Sequence, residues 1–258
     1  MKPRFLGVIP ARYASTRLPG KPLLDLGGRT MLEHVYRRAV ASKTFVKIIV
    51  ATDDERIYEA AQRFGGEVVM TGADHPDGSS RVAEVARAIE TEYVINIQGD
   101  EPLIDPRMLK ELAEGLMADP DSDSATVCVP IAGPEDLANP DIVKVVRAQN
   151  GRALYFSRSL IPYPRKDTAC PVYEHLGIYA FKRDFLLKFV ELPPTPLMET
   201  ESLEQLRILE YGYAMTVIPT QYPPLGPNVN TPADAEKIRR ILEGLRHDPT
   251  TGINLGVS

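Results

Sequence analysis

Two cysteines are too few for a disulfide framework or a four-ligand zinc site, and Cys128 and Cys170 do not stand in Cys-x-x-Cys spacing. A reducing compartment follows. No run approaches the roughly 18 apolar residues of a membrane span, and Met1-Lys2-Pro3-Arg4 leads into a short apolar run without a signal-peptide core. The expectation is a cytoplasmic protein that engages no membrane. Excess basic charge is missing as well. Thirty Lys and Arg stand against 35 Asp and Glu, a net charge of -5, which argues against a dedicated nucleic-acid binder. Two familiar phosphate-loop signatures are also absent: Gly20-Lys21 is followed by Pro22 where a Walker A loop has Ser or Thr, and there is no Gly-x-Gly-x-x-Gly. Internal repeats, low-complexity segments and a linker between independent domains are lacking too.

What is present is a 258-residue chain with 43% hydrophobic residues, enough to bury a core as one large α/β domain with an insertion or as two small domains. Its 18 glycines and 23 prolines imply long, shaped loops. Strand-like runs at Phe5–Ile9, Phe45–Ala51, Glu67–Met70 and Tyr93–Gln98 alternate with helical patterns over 29–41, from Asp54 to Gly65-Gly66, over Ser79–Glu90 and from Asp105-Pro106. In the third helix Val82, Val85, Ala86 and Ile89 share a face. That alternation predicts parallel strands with helices on both faces. After residue 124 the pattern changes. Ser124–Pro130, Ile142–Ala148 and Arg152–Ser157 read as strands, the last two joined through the hairpin signal Asn150-Gly151. A strand at Tyr173–Phe181, helices over 182–191 and 199–211, a strand at Tyr213–Ile218 and a helix from Pro232 to about Leu245 complete the reading. We read one domain over 1–245 with an antiparallel subdomain embedded at about 124–185, and a tail over 246–258.

In an open parallel sheet, ligands bind beyond the carboxyl ends of the strands. The loop after the first strand, Pro10 to Pro22, holds Arg12, Arg17 and Lys21, and the first 24 residues carry five basic side chains and no acidic one. Such a loop is either a polyanion site built from side-chain cations or a solvated basic loop. The run Asn96-Ile97-Gln98-Gly99-Asp100-Glu101-Pro102 ends a buried strand in adjacent carboxylates, which suits Mg²⁺ held together with substrate phosphates. Taken alone it fits a turn with a helix cap equally well. In the strand from Tyr173, alternation puts Tyr173, His175, Gly177 and Tyr179 on one face and Leu176, Ile178 and Ala180 on the core face. The polar, aromatic face is either a sugar site or a dimer contact. His34, His75 and His247 carry no comparable context, and Cys128 between two valines reads as core.

The segment Ile9-Pro10-Ala11-Arg12-Tyr13-Ala14-Ser15-Thr16-Arg17-Leu18-Pro19-Gly20-Lys21-Pro22-Leu23 resembles the nucleotide-binding signature of the 3-deoxy-manno-octulosonate (Kdo) cytidylyltransferases. The likeness extends to Asn96–Pro102, Ala153-Leu154-Tyr155-Phe156-Ser157-Arg158, His175-Leu176-Gly177-Ile178-Tyr179 and Leu203-Glu204-Gln205-Leu206-Arg207. It implies a Rossmann-like nucleotidyltransferase fold, a mostly parallel sheet with a small antiparallel subdomain that makes a homodimer. The implied reaction joins the anomeric hydroxyl of Kdo to the α-phosphate of CTP, for lipopolysaccharide synthesis. By resemblance, Arg12, Lys21 and Asp100 are catalytic, and Pro10, Ala11, Arg12, Ser15, Lys21, Arg81 and Gln98 line the nucleotide. Arg158, His175, Tyr179, Glu204 and Gln205 match positions that line the sugar-acid pocket, and Asp100 would hold Mg²⁺.

One segment departs from the pattern. Where the family usually reads Val-Asp-Thr-Pro before the last helix, this chain has Val229-Asn230-Thr231-Pro232, so a neutral oxygen replaces a carboxylate at the second metal position. Asn230 is either that metal ligand or a helix cap. Three other readings compete: a cytidylyltransferase for a neighbouring sugar acid such as sialic acid or an amino-substituted Kdo, a non-catalytic nucleotide-sugar sensor, and a dinucleotide-dependent oxidoreductase. The His175–Tyr179 segment argues against sialic acid, the trio of Arg12, Lys21 and Asp100 against the sensor, and the missing glycine fingerprint against the oxidoreductase.

Overall fold

Phe5 to Ala11 is apolar throughout, as a strand covered on both faces must be, and in the computed structural model it forms β1 (Phe5–Ala11) with six of seven residues buried. The structure describes residues 4–14, 18–166 and 170–247. Alternation continues through α1 (Met31–Ala41), β2 (Phe45–Thr52), α2 (Glu55–Arg63), β3 (Val68–Met70), α3 (Gly78–Ala88), β4 (Tyr93–Asn96) and α4 (Pro106–Ala118). There follow β5 (Ser124–Pro130), the short α5 (Pro134–Leu137), β6 (Lys144–Arg147), β7 (Ala153–Ser157), β8 (Tyr173–Lys182) and α6 (Arg183–Phe189). The last elements are α7 (Pro196–Glu201), α8 (Leu206–Glu210), β9 (Met215–Pro219) and α9 (Pro232–His247). The class is the expected one, α/β with a mixed, mostly parallel sheet. The described residues divide into two compact units. One is drawn from Met1–Thr91, Asn96–Lys110 and Tyr222–Ser258, the other from Glu92–Ile95 and Glu111–Gln221.

In the first unit β3, β2 and β1 lie side by side and parallel, with Ile9 opposite Val50 and Val50 opposite Val68. Local chemistry starts and stops its helices. Thr30 caps α1 by accepting from the Glu33 amide at 3.1 Å, and Met31, Val35 and Ala39 bury the predicted face. Asp54 caps α2, which ends at Gly65 in the left-handed region, φ +78°. Asp77 and Ser80 form a reciprocal capping box at α3. That helix ends at Ala88, so Ile89, expected on its apolar face, is an extended terminal residue instead. Ala235, Ile238 and Leu242 of α9 join Leu26, Met31, Leu103 and Val229 in one apolar cluster, which brings the segment before α9 into this unit.

The second unit holds the change of pattern. β5 pairs antiparallel with β8 and parallel with β9, while β6 pairs antiparallel with β7 and β8. The β6–β7 hairpin turns where Asn150-Gly151 predicts. Gly151 takes φ +87°, and the Asn150 side chain accepts from the Arg152 amide at 3.1 Å.

Two expectations in this unit need correction. The helix expected over 199–211 breaks into α7 and α8, because Ser202 adopts φ +53° and the Leu203 amide bonds back to the Met198 carbonyl at 3.1 Å, a helix-ending closure. The simple alternation expected in β8 also fails. Thr126 stands opposite Tyr179 but Val127 stands opposite Leu176, so Gly177 and Ile178 bulge out of register. Ile178 in the bulge and Tyr179, Ala180 and Phe181 after it are all buried, whereas Leu176 is only half-buried, so no clean division into a core face and a polar face survives.

Candidate active site

The first cluster is built by three segments far apart in sequence. Gly20, at φ +71°, turns the chain into a short 3-10 helix over Lys21–Leu23, and its amide bonds to the Tyr13 carbonyl at 2.9 Å. This turn delivers Lys21. Its ammonium lies 2.7 Å from Asp100 Oδ2 and 3.3 Å from Asn230 Oδ1. Asp100 follows β4 in the Gln98–Glu101 turn, and its carbonyl accepts from the Val229 amide at 3.0 Å, pinning the segment before α9. Gly99 lets two loops approach. A Cβ there would sit 3.1 Å from the Pro10 carbonyl oxygen. Thus Lys21 is not in a solvated loop, since its side chain is only 13% exposed, against 28% for Asp100.

Asn230 is not the cap of α9. Thr231 is, its Oγ1 accepting from the Asp234 amide at 3.2 Å while Asp234 Oδ2 accepts from the amides of Asn230 and Thr231. The Asn230 side chain is left to face Lys21. One carboxylate and one amide oxygen therefore converge on a single cation position, a donor set that fits Mg²⁺ only if substrate oxygens and water complete it. Among the described residues, no group of three or more His, Cys, Asp or Glu could hold a metal ion.

Of the other nucleotide-site candidates, Pro10 and Ala11 end β1, Arg12 follows it half-buried, and Gln98 is half-buried after β4. Ser15 lies outside the described residues. Arg81 is fully buried rather than presented to solvent. Its guanidinium binds Asp53 at 2.9 Å and the Thr71 hydroxyl, the residues that directly follow β2 and β3, so it ties the carboxyl ends of two strands together. Asp53 and Thr71 were not singled out from sequence. Only their position just past each strand pointed to them.

The sugar-acid candidates fall in the second unit. His175 is 8% exposed, edge-on to Phe156 with ring centroids 4.9 Å apart and 5.6 Å from the Tyr179 ring. Tyr179 donates to Gln205 Oε1 at 3.2 Å, the Gln205 amide nitrogen lies 3.5 Å from His175 Nδ1, and His175 Nε2 lies 2.9 Å from Thr126 Oγ1. Burial pushes the His175 imidazole down to about 3, so it is neutral at physiological pH. Burial, with the Glu204 carboxylate second, holds the Tyr179 hydroxyl well above its usual range. Space opens beside this chain, as a Cβ on Gly177 would meet nothing within 4 Å.

Arg158 is held by backbone. Nε donates to the Glu201 carbonyl at 2.8 Å, Nη1 to Pro140 at 2.9 Å and Nη2 to Ser202 at 3.5 Å. The left-handed break at Ser202 thus supplies two of its acceptors. Glu201, which sequence reading missed, fixes this end of β7 by accepting from Ser157 Oγ at 2.6 Å and the Arg158 amide at 2.9 Å. Cys128 is core as read, its thiol pushed up to about 12 by burial.

The low His175 value has a stability consequence. An imidazole that stays neutral when folded but protonates near 6.5 when unfolded leaves the unfolded state holding the extra proton between those values. Stability is therefore lost as pH falls from about 6.5 towards 3, by up to about 1.4 kcal/mol per pH unit for this one group. Urea unfolding between pH 7 and 4.5 should show a shallower pH slope in His175→Gln than in the parent chain. Equal slopes would contradict a buried neutral imidazole.

Comparison with known proteins places the chain in a family. The Cytidylyltransferase family model matches residues 6–218. The 3-deoxy-manno-octulosonate cytidylyltransferase of Solibacter usitatus is 48% identical over 94% of this chain and 96% of its own length. That of Fusobacterium nucleatum is 48% identical over 93% and 97%. A solved CMP:2-keto-3-deoxy-manno-octonic acid synthetase complexed with CTP superimposes with a TM-score of 0.90 at 44% identity, covering 94% of this chain and 99% of that one. The chain is a nucleotidyltransferase that belongs to the cytidylyltransferase family and, within it, to the 3-deoxy-manno-octulosonate cytidylyltransferases.

Proposed function

We propose that this chain transfers CMP from CTP to the anomeric hydroxyl of Kdo and releases pyrophosphate. The observation that carries the reading is the convergence of Lys21, Asp100 and Asn230 from three distant segments onto one cation position. The anomeric hydroxyl gives up its proton to solvent water as its oxygen attacks the α-phosphorus, the bond from that phosphorus to the bridging oxygen breaks, and pyrophosphate leaves with the bonding electron pair. Lys21 exchanges its Asp100 contact for triphosphate oxygens when CTP arrives, and Arg12 adds a second positive charge beside the leaving group. Asp100 and Asn230 would hold Mg²⁺, which when bound supplies charge neutralisation on the triphosphate and acidifies a bound hydroxyl. Arg158 offers its remaining N–H groups to the sugar's carboxylate, while Tyr179, Glu204 and Gln205 meet its hydroxyls. Positioning and electrostatics carry the rate, and no covalent enzyme intermediate is needed. The same reading includes a homodimer, a cytoplasmic location and a place in lipopolysaccharide assembly, all three supported by the family likeness.

Base choice gives a direct test. With Kdo saturating, kcat/KM for CTP should exceed that for ATP or GTP by about 100-fold or more, with UTP the closer competitor. Equal turnover of ATP and CTP would overturn the nucleotide assignment.

A further inference from the structure

Thr126 is fully buried in β5, and three groups compete for its hydroxyl: the Ile178 carbonyl at 2.7 Å, the Leu176 carbonyl at 3.1 Å and His175 Nε2 at 2.9 Å. A hydroxyl has one proton to give. If that proton went to His175, the oxygen would face two carbonyl oxygens at contact distance with no proton between them. The proton therefore goes to a carbonyl in the β8 bulge, and the hydroxyl accepts from His175. His175 then carries its single proton on Nε2, leaving Nδ1 an acceptor for the Gln205 amide nitrogen. With that amide so turned, Gln205 Oε1 accepts from the Tyr179 hydroxyl. Each link leaves the next with one allowed direction.

We infer that Thr126 is a positioning residue for the sugar-acid site: it sets the His175 tautomer and, through Gln205, turns the Tyr179 proton inward, so Tyr179 offers a bound sugar only an acceptor oxygen. On this account Tyr179 reads a hydroxyl donor and repels a carboxylate, which leaves the substrate's acid group to Arg158. The inference rests on the proposed function for its substrate and, for its tautomer, on hydrogen-bond geometry around an imidazole that burial keeps neutral.

Two measurements separate those parts. In the ¹⁵N-labelled full chain, which has four histidines, the His175 signals are identified by their loss in His175→Gln. Long-range proton–nitrogen correlation at pH 7 should show Nε2 protonated and Nδ1 bare. A proton on Nδ1 overturns the inference, whether or not the chain uses Kdo. In kinetics, Thr126→Val removes the acceptor, so KM for Kdo should rise about 10-fold or more while KM for CTP stays within about 2-fold. Thr126→Ser keeps the hydroxyl and should restore both the Kdo KM and the Nε2 tautomer. An unchanged Kdo KM in a folded Thr126→Val chain would contradict the inference. Should Thr126→Val not fold, the parent tautomer decides, and a parent chain inert towards Kdo fails the proposed function without touching the tautomer result.

Discussion

Lys21→Ala is expected to lower kcat by about 100-fold or more, the scale seen when a preorganised charge on a developing anion is removed. The Lys21 ammonium sits at the cation position, and its contacts at 2.7 and 3.3 Å show that the turn over Lys21–Leu23 already aims it there. Arg12→Ala should cost a comparable factor. Neither change should unfold the protein. The Lys21–Asp100 pair is part-buried but outside the apolar core, so its loss should cost only about 1 kcal/mol. Steady-state kinetics beside a urea titration checks both halves. Near-parent kcat, or a chain that unfolds, would contradict the role assigned to either residue.

Asp100→Asn is expected to be at least as damaging, with turnover reduced about 1000-fold, because it removes the carboxylate of a donor pair whose other member is neutral. Charge explains the asymmetry. Lys21, Asp100 and Asn230 together sum to zero, so the protein alone attracts Mg²⁺ weakly and nucleotide phosphates must bring most of the negative charge. Asn230→Asp should therefore shift the Mg²⁺ needed for half-maximal rate down by about 5-fold, the equivalent of roughly 1 kcal/mol of added attraction. Its stability should stay within about 0.5 kcal/mol, since Thr231, not Asn230, caps α9. A Mg²⁺ titration that Asn230→Asp leaves unmoved would refute a metal role for this position.

The legible part of the fold was the part governed by local rules. Apolar runs marked β1 and β2, Asp54 and Asp105 each sit just before the helix they were read to open, and Asn150-Gly151 marked the β6–β7 turn. What failed depended on pairing across the chain. The Gly177–Ile178 bulge exists only against β5, and the break at Ser202 is closed by Met198 and used by Arg158, neither of which a helical pattern can register. The same holds for the sites. Lys21 and Asp100 stood out by charge at strand ends, and Asn230 by its mismatch to the family pattern. Thr126 and Glu201 had no signal: a threonine in an apolar strand and a glutamate in a helix look ordinary until their partners arrive. Arg81, read as lying by the nucleotide, is fully buried with its guanidinium on Asp53 and Thr71, pairings that its sequence context does not reveal.

Joining a cytidine nucleotide to Kdo is the activity on which every residue role above depends. Purified protein with CTP and a panel of sugar acids, with and without Mg²⁺, tests it by following pyrophosphate and the sugar nucleotide together. The expected result is one pyrophosphate per CMP-Kdo formed, dependent on CTP, Kdo and Mg²⁺, with sialic acid inert. Release of pyrophosphate without a sugar acid, or none with Kdo present, would contradict it.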